Sequence, residues 1–124
     1  MNIVPDIPAA ANEGAILSKA SFRAARALGL SQKELGEIIG VSPASTSRMK
    51  DGSYALSGKP FELAVCLVRI FRSLDAIVGG DEKAMKSWLQ AENRDLRGVP
   101  RDLLRSAAGL IGVMNYLDAQ RAPL

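Results

Sequence analysis

The sequence predicts an all-α protein, and three observations carry that prediction. Apolar residues recur at helical spacing through most of the chain, and no stretch alternates as a half-buried strand would. Serine, aspartate or proline stands at the start of most periodic segments, and glycine closes several of them. Aromatic residues are only 5% of the 124, against 48% hydrophobic overall, so the core must be filled by aliphatic side chains.

Residues 1–12, with Pro5, Pro8 and a run of alanines, predict a loose N-terminal arm. A first helix should run from Glu13 to Leu28, with Ile16, Leu17, Ala20, Ala24 and Leu28 on one face and Gly29 as its stop. Ser31 can cap a second helix, with Glu34 completing a capping box and Leu35, Ile38 and Ile39 facing inward. Gly40 then ends it with positive φ, which glycine adopts without a Cβ clash. Ser42-Pro43 is a strong start for a third, short helix: the serine oxygen takes an orphan N–H, and proline loses nothing at the first helical position. Asp51-Gly52 closes it.

Residues 53–60 read as a loop, and Pro60 opens the longest helix, to about residue 78. Its polar sector is narrow and its apolar face wide, which fits a central core helix or half of a dimer seam. Gly79-Gly80 breaks the chain, and Asp81 caps a helix over 81–90. Pro100 opens a short helix through Arg105. A last helix begins near Ser106, with Leu110, Val113, Met114 and Leu117 as its stripe. The expected organisation is an arm (1–12), a helix-turn-helix unit (13–58), a central connecting or dimerisation helix (59–80) and a C-terminal helical unit (81–124).

Composition narrows the chemistry. The absence of histidine removes the commonest general base, the usual nucleophile pairs and imidazole metal ligands. The lone Cys66, set in VCLVRIF, leaves no disulfide or cysteine-cluster zinc site and reads as a small buried apolar residue. No catalytic residue, metal, cofactor or small-molecule substrate is therefore expected. No apolar run approaches the ~20 residues a bilayer span needs, and the N-terminus lacks a secretion signal, so the expected location is the cytoplasm, without membrane association. The net charge of +3 is spread over both halves and permits a polyanion partner without requiring one.

The stretch SQKELGEIIGVSPASTSRMKDG, residues 31–52, has what a helix-turn-helix requires: a support helix, a sharp turn and a second helix free to enter a major groove. Leu35, Gly36, Ile39, Val41 and Met49 supply the small or apolar inner positions, and Thr46 is a polar departure among them. The outward candidates for DNA contact are Pro43, Ala44, Ser45, Ser47, Arg48 and Lys50, with Ser42 and, at the start of the support helix, Gln32. Arg48 is suited to bidentate bonds with guanine, and Gln32 to a phosphate.

Residues 15–52 resemble the DNA-binding domain of Xre-type and phage-repressor regulators, whose base-contacting positions fall on Pro43, Ala44, Ser47 and Arg48. The segment MKSWLQAENRDLRGVPRDLLRSAAGLIGVMNYLDAQR resembles the C-terminal domain of Xre/MbcA/ParS antitoxins. Its frame falls on Trp88, Leu89, Asn93, Leu96, Gly98, Pro100, Leu103, Leu104, Gly109, Leu110, Val113, Tyr116, Leu117 and Asp118. Arg97 departs from it, since a second glycine is common before Gly98.

The resemblance implies a non-enzymatic antitoxin that binds a RES-domain, NAD-consuming toxin through its C-terminal domain and blocks the toxin's cleft. It further implies a homodimer that represses its own operon by binding operator DNA. The alternative is a stand-alone Xre-type regulator without a cognate toxin. Tyr116, Leu117, Gln120, Arg121 and Leu124, on the terminal helix and tail, are the candidates for toxin contact. Trp88, Asn93, Pro100, Leu104 and Gly109 read as structural anchors. Arg94, Arg97, Arg101 and Arg105 read as solvated charges.

Overall fold

The computed structural model describes residues 9–121. It consists of α1 (Ala9–Ala27), α2 (Gln32–Ile39), α3 (Pro43–Met49), α4 (Gly58–Ile77), α5 (Glu82–Gln90), α6 (Pro100–Leu103) and α7 (Ala107–Arg121). No strand occurs among the described residues, only an isolated antiparallel bridge between Asn93 and Gly98. α1 begins one turn earlier than the periodicity predicts, at Ala9; of the expected arm, residues 1–8 lie outside the described residues. α4 starts at Gly58 rather than Pro60.

The wide apolar face of α4 has a plain cause. α4 is the spine of the molecule, packed against α1 and against α7. Ala64, Leu67, Val68, Ile70 and Leu74 of α4 are buried. The core is continuous across both halves: Leu28, Leu35, Ile39 and Met49 join Leu67 and Ile70, which join Met85, Leu89, Leu104, Leu110, Val113 and Leu117. The helix-turn-helix and the C-terminal helices are thus two faces of one aliphatic core and fold together.

Cys66 is half-buried rather than fully enclosed, and burial pushes its thiol pKa up. No described helix is long and apolar enough to cross a membrane.

Candidate nucleic-acid and partner interfaces

The helix-turn-helix is fixed by short-range signals. The Glu34 N–H donates to Ser31 Oγ and the Ser31 N–H to Glu34 Oε1, both at 3.0 Å, closing the capping box. Gly40 ends α2 at φ 77°, and its N–H returns to the Gly36 carbonyl. Ser42 Oγ accepts from the Ser45 N–H at 3.2 Å, with Pro43 at the first helical position of α3. Gly36 marks the crossing of the two helices. A Cβ there would stand 2.8 Å from both Thr46 Oγ1 and the Val41 carbonyl oxygen, so only glycine lets α3 come this close. Thr46 is buried, and its hydroxyl donates to the Ser42 carbonyl at 2.8 Å, which satisfies the polar residue among the inner positions.

The outer face of α3 is open. Pro43, Ala44, Ser47, Arg48 and Lys50 are exposed, as are Ser42 and Gln32, while Ser45 is half-buried. Ser42 and Ser47 both bond within their own helix segment, Ser42 to Ser45 Oγ and Ser47 to the Ala44 carbonyl. The Arg48 guanidinium lies over the Tyr54 ring, 5.6 Å from its centroid.

In the C-terminal half, Trp88 stacks on Tyr116 with centroids 6.4 Å apart, and both rings are half-buried. The Asn93 N–H donates to the Gly98 carbonyl at 2.8 Å, and Asn93 Oδ1 accepts from the Leu96 N–H at 3.0 Å, so one asparagine closes the turn from both ends. Pro100 and Leu104 are buried. Gly109 is pressed onto the end of α6: a Cβ there would lie 2.0 Å from the Leu103 carbonyl oxygen. Arg97 sits at φ 59°, in the left-handed region that glycine favours, which gives a physical reason for the glycine common at this position.

Of the candidate toxin contacts, Tyr116 is half-buried and its hydroxyl donates to Asp95 Oδ2 at 3.0 Å; that carboxylate pushes the phenol pKa up. Gln120 and Arg121 are exposed at the end of α7. Leu117 needs correction. It is 1% exposed and packed in the core, so its side chain is not part of a contact surface. It belongs to the same inward stripe as Leu110 and Val113, and the i+7 spacing that placed it there already implied burial. Leu124 lies outside the described residues.

The reading of Arg101 and Arg105 as solvated charges also needs correction. Arg101 Nε donates to Glu34 Oε2 at 2.7 Å, its Nη2 donates to Glu34 Oε1, and it reaches the Gly29 carbonyl at 3.3 Å. Arg105 Nη1 donates to Glu37 Oε2 at 2.7 Å. The Arg101 guanidinium, with help from the Ser31 cap, holds the Glu34 carboxyl well below the usual range, at about 2. These pairs strap α6 to the support helix of the helix-turn-helix. The signal in the sequence was two arginines at i, i+4 and two glutamates at i, i+3, but nothing local says that they face one another.

A second strap joins α4 to α7: Asp118 accepts from Arg69 Nη2 and, at 2.9 Å, from Ser73 Oγ. Arg94 and Arg97 remain exposed.

Two family models match the chain. The antitoxin Xre-like helix-turn-helix domain matches residues 8–69. The antitoxin Xre/MbcA/ParS C-terminal toxin-binding domain matches residues 73–122. No curated protein matches the chain.

Proposed function

Since the chain belongs to the Xre-like antitoxin family, with a helix-turn-helix over 8–69 and a toxin-binding domain over 73–122, we propose that it neutralises a RES-type, NAD-consuming toxin and represses its own operon. The observation that carries this reading is the presence of both modules in one chain. A DNA-binding module alone would serve any regulator. Inhibition is steric: Tyr116, Gln120, Arg121 and the tail through Leu124 enter the toxin's cleft. Support comes from the exposure of Gln120 and Arg121 in the last turn of α7, a turn positioned by the Asp118–Ser73 bond.

On the DNA side, Gln32 and the N-terminus of α2 hold a phosphate, while α3 enters the major groove of a palindromic operator. The palindrome is met by a homodimer. A groove of about 340 Å³ between α1 and α4 suits a two-fold contact. Ile16, 61% exposed, lines it, together with Glu13 and Arg72, so two copies can pair opposite charges.

The test is co-expression with the product of the adjacent reading frame. Growth arrest should be relieved and the two proteins should co-purify, and truncation after Asp118 should weaken rescue while leaving the melting curve intact. Full rescue by the truncated chain would remove the tail from the mechanism; a neighbour without NAD-consuming activity would remove the RES assignment.

A further inference from the structure

The exposed serines of the α3 segment, Ser42 and Ser47, have no free hydroxyl proton to offer. Their protons are engaged at Ser45 Oγ and the Ala44 carbonyl respectively. A hydroxyl has one proton to donate, so these side chains meet DNA chiefly as acceptors. What the helix does present at its leading end is carbon: Pro43 and Ala44 are its first two residues, and both are exposed. Beside Pro43 lies an open hollow of about 250 Å³ between α2 and α3, with Gly36, Gly40, Val41 and Thr46 in its wall and Gln32, Lys33 and Glu37 also lining it. The leading residues of a recognition helix are the ones that meet base edges. The base-edge group that favours an apolar surface is the C5 methyl of thymine.

The surroundings suit DNA and not an apolar peptide. Lys33 lines the same hollow as Pro43, and Arg48 and Lys50 are exposed in the last turn of α3 and at its end. The carboxylates of α2 are each paired with an arginine, Glu34 with Arg101 of α6 and Glu37 with Arg105 just beyond it, which reduces their repulsion of a phosphate.

We infer that Pro43 and Ala44 are specificity residues that select thymine through its C5 methyl group, with Arg48 adding a guanine at the other end of α3. This inference rests on the DNA-binding reading above. The side chains carry it, not the helix terminus.

The test begins with selection of a preferred duplex from a random pool by the full chain. Each thymine is then replaced singly by deoxyuridine, which keeps every hydrogen-bonding group and removes only the methyl. At one or two positions per half-site, affinity should fall about fourfold, the equivalent of one methyl-sized group returned to water. Thymines elsewhere should be indifferent. Ala44→Gly should abolish the uracil penalty at one of those positions. The protein is unchanged in the uracil series, so a folding defect cannot mimic the result. Indifference to uracil at every position would overturn the inference and leave DNA binding standing. Failure to bind any duplex would overturn both.

Discussion

The two functional halves rest on one core but are secured by different kinds of contact. In the helix-turn-helix, α2 and α3 each begin at a serine that caps its own helix, and a glycine ends α2. In the C-terminal half, α6 begins without a side-chain cap. It is held instead by carbonyl packing under Gly109 and by arginines that reach α2. The caps of the first half act between residues a few positions apart, whereas the arginines around α6 reach residues up to 72 positions away. Local signals fix helices; long-range contacts decide how the C-terminal helices sit on the helix-turn-helix.

The largest expected effect tests the packing of the second half. Gly109→Ala forces a methyl into the Leu103 carbonyl and should destabilise by about 3 kcal/mol, read as a shift in the urea midpoint. The same change at Gly112, on the same helix but facing open space, should raise stability instead through helix propensity. If both changes destabilise alike, the contact with the Leu103 carbonyl does not set Gly109 apart and the packing argument fails.

Next comes the strap between the halves. Arg101→Ala should lower stability by about 2 kcal/mol at neutral pH, because it leaves Glu34, only 13% exposed, without its main partner. The pH dependence follows from the sign of the shift. Glu34 titrates lower when folded, at about 2, than its ordinary 4.5. Its contribution is therefore complete above pH 4.5 and lost as pH falls towards 2. Denaturation curves across that window should fall steeply for the wild type and less steeply for Arg101→Ala.

The Arg69–Asp118 pair is a more exposed version of the same device, with side chains 56% and 30% exposed. Arg69→Ala should therefore be milder, about 0.5–1 kcal/mol, and more salt-sensitive in the wild type. A loss as large as that of Arg101→Ala would show that exposure does not set the ranking.

The smallest effect runs the other way. Arg97→Gly relieves a left-handed backbone and should stabilise by about 0.5 kcal/mol in thermal melts. No gain would mean that the Arg97 side chain offsets its own strain.

Much of the reader was legible because its determinants are adjacent in sequence. Ser31 and Glu34 announce a capping box, Gly40 a left-handed stop, and Ser42-Pro43 a helix start. The breadth of the apolar face of α4 was equally plain, but its meaning was not. Periodicity measures how much of a helix is covered and is silent on whether the cover is α1 and α7 of the same chain or a second copy. Leu117 shows the opposite error, where a position on a surface-reaching helix outweighed the inward spacing written in the sequence.

The sequence by itself determined the helices, their caps and stops, the helix-turn-helix frame and the resemblance of both halves to antitoxin modules. Each depends on side-chain type and spacing within a few residues. Only the tertiary structure decided that the two halves share a core and that Arg101 and Arg105 are straps rather than solvated charges. Those facts depend on which distant groups the packing brings within about 3 Å, the range at which a hydrogen bond or ion pair forms.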